Sequence, residues 1–115
     1  MVKKVSSKKV VEMEEDYSLN DVLLRGRVSN EAVEKELPSG DKVVEFRLIV
    51  TRDKQPGVDT LDIGSWSAKS RRTALSLAPD EWVEIQAQFI VAFGVGQLGL
   101  QVVGRLKRWR FHEFR

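Results

Sequence analysis

The sequence predicts a single all-β domain of five strands, with one short helix between the third and the fourth. Its 115 residues are enough for one hydrophobic core. Its 42% hydrophobic and 31% charged residues are ordinary values for a soluble globular protein. Short apolar runs of period two recur between turn signals, and only one stretch has helical spacing. No apolar run approaches the roughly 18 residues of a membrane-spanning helix.

The composition excludes several classes of protein. The chain has no cysteine, which excludes a disulfide scaffold, a zinc finger and a thiol nucleophile. His112 is the single histidine, so the side chains that a catalytic histidine triad or a metal cluster requires are largely missing. Asp59 and Asp62 would point to opposite faces of a strand, which suits no carboxylate pair. We therefore predict no enzyme, no cofactor and no metal. The absence of cysteine and of a secretory signal suits a cytoplasmic, nucleoid-associated protein.

The N-terminal residues differ in composition from the strand that follows them. Residues 1–17 are charged and contain little to bury, so we predict a flexible arm there. The folded domain is expected over residues 18–110, followed by a tail over residues 111–115. The first strand alternates with period two, and the residues on its inner face are Val22, Leu24, Gly26 and Val28.

The second and third strands are predicted from the same alternation. The second follows a turn signal at residues 39–41 and covers residues 42–52. Its inner face consists of Val44, Phe46, Leu48 and Val50. The third strand covers residues 58–66 and has Leu61 and Ile63 on its inner face.

The helix and the last two strands complete the predicted order. Helical spacing covers residues 67–77, with Ser67 as the N-cap. The fourth strand is predicted over residues 82–93, and its inward residues are Val83, Ile85, Ala87 and Phe89. A tight hairpin at Gly94-Val95-Gly96 leads to the fifth strand over residues 97–106.

Five antiparallel strands with a helix between the third and the fourth are the order of the OB-fold, a small, partly open β-barrel. An SH3-like barrel lacks that helix, and an RNA-recognition fold needs two helices. The strand order therefore predicts an OB-fold. It does not by itself establish a function, because OB-folds bind several kinds of ligand.

Four segments, in this order and spacing, carry a resemblance to a known family. They are Asn20–Val28, Val44–Thr51, Asp59–Lys69 and Glu84–Phe89. They resemble the first three strands and the V-x-I-E-G-x-L run after the helix in bacterial single-stranded-DNA-binding proteins. The resemblance spans roughly residues 18–106. It implies an OB-fold that binds single-stranded DNA as a homo-oligomer.

The sequence also departs from that family's pattern. Thr60 stands where the family commonly has a tryptophan, and no aromatic residue follows Thr51. The hairpin at residues 94–96 is shorter than the family's DNA-clamping hairpin. The sequence has neither the Gly/Pro/Gln-rich linker nor the acidic tip that recruits partners. These departures predict weaker DNA binding than the family shows and give no basis for recruitment through a tail.

Binding single strands requires a basic groove along the phosphates and aromatic faces on which bases stack. Trp66, on the outer face of the third strand, is the main stacking candidate; the alternative is that it packs under the helix. Arg25, Arg27 and Arg47 alternate away from the core, beside Trp66. The alternative is a solvated face on which acidic residues pair with them. Further candidates around the groove and in the basic C-terminal strand are Arg52, Lys54, Lys69, Arg71, Arg72, Phe93, Arg105 and Lys107. The C-terminal stretch also mixes these cations with Trp109, a composition suited to nucleic acid.

These features predict sequence-independent binding of single-stranded DNA, in replication, repair or recombination. The run from Phe89 to Phe93 is apolar on both faces and indicates a homodimer or homotetramer. We expect no membrane and no small-molecule substrate as partners. The alternative is an OB-fold protein-interaction module, similar to a primosome-accessory OB dimer, which Thr60 and the carboxylate of Asp62 favour. RNA stays open as a ligand, because stacking does not read the sugar.

Overall fold

Six strands and one helix follow one another in the part of the chain that the structure describes. The computed structural model describes residues 15–91 and 98–110. Its elements are β1 (Val22–Val28), β2 (Val33–Glu36), β3 (Lys42–Thr51), β4 (Val58–Ser65), α1 (Ala68–Leu75), β5 (Trp82–Val91) and β6 (Leu98–Arg108). No helix within these residues is long and apolar enough to cross a membrane.

The strands form one sheet that closes on itself. Their order is β1-β5-β6-β4-β3-β2, and a further pairing of β1 with β3 closes the barrel. The β4–β6 pairing is parallel, and the other pairings are antiparallel. Among the strands that the structure describes, the short strand β2 pairs with β3 alone, and it lies outside the closed ring. Five strands thus form the barrel, with α1 between the third and the fourth of them, and the predicted OB-fold is confirmed.

Closure of the barrel depends on β1, which has two partners. Val22 to Arg27 pair with β5, whereas Arg27 and Val28 pair with β3. Gly26 is buried at this change of partner. A Cβ atom there would run into the carbonyl oxygen of Ile49. Glycine is therefore required for the close approach of the two backbones.

The core consists of the inner faces that period-two alternation predicts. Its fully buried residues include Val28, Val44, Leu48, Ile63 and Ile85. Strands whose side chains alternate between a buried and a solvated face produce this pattern directly. The predicted inner faces of β1, β3 and β4 are confirmed.

The helix begins where its cap predicts. The Ser67 hydroxyl accepts a hydrogen bond from the Ser70 backbone N–H at 3.1 Å, which satisfies one of the free donors of the first turn. The helix ends at Leu75, two residues before the predicted end. It packs against β3, β4 and β6, with Ala74 buried.

Three features of the sheet differ from the prediction. The β4–β6 pairing is parallel, whereas the sequence predicted antiparallel strands throughout. The structure has an additional strand, β2, whose four residues are all exposed. The prediction that Phe89 points into the core is wrong, since 43% of this residue is exposed. The last β5 residue that pairs with β1 is Ala87, so no third strand within the described ranges covers Phe89.

Other predictions fall outside the described residues. The hairpin at residues 94–96, the stacking candidate Phe93, the tail over residues 111–115 and most of the arm belong to this group.

Candidate nucleic-acid interface

The predicted site residues that the structure describes lie on the outer surface, and most of the arginines among them contact a carboxylate. Arg25 and Arg105 contact Glu84, Arg27 contacts Asp80, Arg47 contacts Asp62, and Arg52 contacts Asp59. The cations therefore have to be judged together with their acidic neighbours, because a paired arginine presents less positive charge to a phosphate.

One group of charges lies across β2, β3 and β4, and we call it the ion-pair row. It consists of the pairs Lys35–Glu45 at 2.8 Å and Arg47–Asp62 at 3.0 Å. A further pair, Arg52–Asp59 at 3.0 Å, lies on the opposite face of the β3–β4 hairpin, because Asp59 and Asp62 are three positions apart on β4. Arg47 and Asp62 are direct cross-strand partners in the β3–β4 register, so their side chains share the outer face.

The ion-pair row borders a shallow hollow of about 320 Å³. Arg47, Asp62, Lys35 and Glu45 all line it. A hydrogen bond from Lys35 to Glu45 raises the pKa of the Lys35 ammonium, and the nearby charges of Glu45 and Asp62 add to it. Two cations and two carboxylates cancel in the ion-pair row, so the row carries no surplus of positive charge.

A second group lies across β1, β5 and β6 around one buried carboxylate, and we call it the Glu84 cluster. Glu84 is 5% exposed although it is on the outer face of β5. Arg25 donates to its Oε1 at 3.1 Å, and Arg105 donates to its Oε2. Lys107 is the cross-strand partner of Glu84 on β6. Three cations thus surround one carboxylate, which leaves an excess of two positive charges.

The Glu84 cluster also contains an aromatic ring. The guanidinium carbon of Arg25 lies 3.3 Å from the centre of the Trp109 ring, in a cation–π arrangement. Trp109 itself is half-buried, and its backbone N–H donates to the carbonyl oxygen of Trp82. Arg25 is therefore fixed between an indole and a carboxylate.

The charge of Glu84 is itself stabilised by this arrangement. The hydrogen bond from Arg105, then the one from Arg25, hold the pKa of its carboxyl below the ordinary value of 4.5, against the opposing effect of burial. Glu84 is consequently ionised at neutral pH and keeps both guanidinium groups in place.

Trp66 follows the last residue of β4 and lies over the glycine two positions before it. A Cβ atom at Gly64 would be 3.6 Å from the Trp66 Nε1 and 3.5 Å from a methyl group of Val43. The ring is half-buried, and Arg71 of α1 donates to its backbone carbonyl oxygen. Lys69 and Arg72 are exposed on the same helix, and the pairs found among residues 15–91 and 98–110 include no carboxylate partner for either.

The structure brings together some of the predicted residues and separates others. Arg25, Arg105 and Lys107 meet in the Glu84 cluster, and Arg47 belongs to the ion-pair row. Arg52 is paired with Asp59 outside both groups. Arg27 lies beside Asp80 at 3.0 Å, next to the β1–β3 closure. Lys54 is exposed in the turn between β3 and β4.

Two residues of the cluster were absent from the predicted site, Glu84 and Trp109. In the sequence, Glu84 occupies an outward position of β5, where a charged side chain is expected to be solvated. Its importance appears only when β1 and β6 bring two arginines to it. The sequence marked Trp109 as part of a basic stretch suited to nucleic acid, but the tryptophan was not included among the predicted binding residues.

Known proteins resemble this chain in structure, although no family model and no curated protein matches its sequence. A deletion mutant of the single-stranded DNA binding protein from Thermus aquaticus superposes with a TM-score of 0.65 and 22% identity over 80% of this chain. This chain spans only 42% of that protein's length.

Two further solved structures are matched over nearly their whole length. The mitochondrial single-stranded DNA binding protein of S. cerevisiae has a TM-score of 0.68 and 12% identity, covering 81% of this chain and 99% of that one. The protein PriB from Ralstonia solanacearum has a TM-score of 0.67 and 14% identity, covering 81% and 100%. With the strand order described above, these similarities show that the chain has the OB-fold of these proteins.

Proposed function

We propose that this protein binds single-stranded DNA without sequence preference and performs no chemistry on it. The Glu84 cluster carries the proposal, because it combines a surplus of positive charge with an indole ring on one outer face. Phosphate neutralisation and aromatic faces are the two requirements of such binding. The fold supports the proposal, since two of the similar proteins are named for binding single-stranded DNA.

In the proposed mechanism, cations bind the phosphates and aromatic rings stack on the bases. Lys107 and Arg105 attract phosphates, and their long-range attraction is weakened by salt. Trp66 offers its exposed surface to a base, and each stacked base stabilises the complex by about 1–3 kcal/mol. Lys69 and Arg72 of α1 extend the positive surface on the side of Trp66.

We also propose that the protein is a homodimer or homotetramer in the cytoplasm, acting in DNA replication, repair or recombination. The apolar end of the β5–β6 hairpin supports the assembly. Phe89, Val91 and Leu98 are 43%, 65% and 67% exposed there. A second copy covering them would remove this apolar surface from water. Light scattering of the free protein should give a multiple of 13.1 kDa, and a monomer mass would contradict the assembly.

The experiment that tests DNA binding is a titration with oligo-dT at two salt concentrations, followed by tryptophan fluorescence. Trp66→Ala should weaken binding more than about tenfold, because it removes the ring on which a base stacks. Lys107→Gln should weaken binding at low salt and reduce the salt slope by about 0.7. Tyr17→Ala and Lys42→Gln are the matched controls, since these residues are exposed outside both groups.

The outcomes separate the candidate functions. Quenching that weakens with salt supports binding through phosphates and stacking. Absence of binding at low salt would contradict the proposal and would favour the protein-interaction module. The charge-neutral ion-pair row is the observation on which that alternative rests. A parallel titration with oligo-U decides whether RNA is bound as well.

A further inference from the structure

Asp62 has a central position on the outer surface of the barrel. It lines the hollow of the ion-pair row and also a second hollow of about 210 Å³, which Thr60 and Phe89 border. Its Oδ1 accepts a hydrogen bond from the Nε of Arg47 at 3.0 Å. A strand of nucleic acid crossing β3 and β4 would therefore meet this carboxylate beside the arginine.

The contact between Asp62 and Arg47 is exposed to water. The side chain of Asp62 is 77% exposed and that of Arg47 is 54% exposed. Exposed pairs of this kind are weak, because water screens the attraction and holding two side chains in place costs entropy. Another anion can therefore take the place of Asp62 on the guanidinium.

A phosphate group competes for the same donors as the carboxylate. Arginine presents its N–H groups in a planar fork that fits both carboxylate and phosphate oxygens. In the free protein the Nε donor of this fork is already used by Asp62. Arg47 can use all of its donors for a phosphate only after the carboxylate has turned away into water.

The carboxylate of Glu84 cannot be displaced in the same way. Its side chain is 7% exposed and is held by two arginines rather than one. Even with Glu84 in place, the cluster keeps a surplus of positive charge. Glu84 thus holds its two arginines in place, whereas Asp62 only occupies a hydrogen-bond donor of Arg47.

We propose that Asp62 is an internal competitor of phosphate at Arg47, which lowers the affinity and the salt dependence of nucleic-acid binding. This inference rests on the proposed function. When a phosphate binds Arg47, Asp62 is released and attracts a cation from solution. That uptake offsets the counterion that the phosphate gives up, so this contact adds little to the salt slope.

The test compares two variants that lose the same charge. Asp62→Asn removes the competitor, whereas Asp41→Asn removes a carboxylate at the β2–β3 turn that contacts Ser39. With oligo-dT at low salt, Asp62→Asn should bind roughly three- to tenfold more tightly than wild type. Its salt slope should be steeper by up to about 0.7, the value for one phosphate contact. Asp41→Asn should change both quantities much less.

A double variant identifies the route of the effect. In an Arg47→Gln background, Asp62→Asn should no longer strengthen binding beyond the general effect seen with Asp41→Asn. Persistence of the full gain without Arg47 would overturn the inference, and so would equal gains for Asp62→Asn and Asp41→Asn. Circular dichroism melts show that each variant is folded.

The test also separates this inference from the proposed function. If wild type binds and Asp62→Asn shows no specific gain, only the competition is wrong. If neither protein binds oligo-dT at any salt concentration, both proposals are wrong. Binding by Asp62→Asn without binding by wild type would support the competition at Arg47 and would contradict the proposed function of the wild-type protein.

Discussion

The ion-pair row and the Glu84 cluster are made of the same residue types but differ in stoichiometry and burial. In the row, each cation has one carboxylate, and the Arg47–Asp62 pair is largely exposed. In the cluster, two arginines share one buried carboxylate, and Lys107 lies opposite it. The count of charges is thus a poor guide to a binding surface. The number of cations for each carboxylate, and its access to water, decide which face attracts a polyanion.

The largest expected contrast is in stability. Glu84→Gln should lower the midpoint of thermal unfolding by several degrees, because Arg25 and Arg105 then face each other without a shared anion. Asp62→Asn should leave the free energy of unfolding within about 0.5 kcal/mol of wild type. Thermal melts of the two variants make the comparison. Equal melting temperatures would contradict the structural role of Glu84. So would a double variant, Glu84→Gln with Arg105→Gln, that regains none of the melting temperature lost in Glu84→Gln.

The next contrast concerns pH. Since the pKa of Glu84 is below 4.5 in the folded protein, its charge contributes stability above about pH 4.5. That contribution is lost as the pH falls through the lowered pKa. Urea unfolding of wild type between about pH 6 and pH 3 should show this loss, and Glu84→Gln should make the decline shallower. Parallel declines in the two proteins would show that Glu84 is not a source of the acid sensitivity.

The smallest effect is expected from the cation–π contact. Arg25→Lys keeps the charge but replaces the flat guanidinium that lies over Trp109. The free energy of unfolding should therefore fall by about 0.5–1 kcal/mol. Arg27→Lys is the matched control. Among the described ion pairs, the partner of Arg27 is Asp80 alone, and Asp80 is exposed. Urea unfolding followed by tryptophan fluorescence measures both. Indistinguishable losses would mean that the Trp109 contact adds nothing.

The backbone of this protein could largely be predicted from its sequence. Period-two alternation at Val44, Phe46 and Leu48 identified β3, and the cap at Ser67 identified the start of α1. β2 was missed because Val33-Glu34-Lys35-Glu36 has no buried face, so no alternation marks it.

The arrangement of the candidate site was less predictable. The positions of the cations follow from alternation, but their partners depend on the strand register. Arg47 faces Asp62 only because the β3–β4 turn aligns them, and Glu84 is buried only because β1 and β6 bring arginines to it. Register and long-range neighbours leave no local pattern in the sequence.

The double partnership of β1 also has a consequence for the speed of folding. Leu24 pairs with Ile85, 61 positions away along the chain, and the parallel β4–β6 pairing brings Ile63 to Leu100. These contacts require large loops to close before the contacts stabilise the chain. Barrels with such non-local pairings fold in roughly milliseconds to seconds. The β3–β4 hairpin, whose partners are close in sequence, can form earlier, and β1 completes the ring only once β5 is in place.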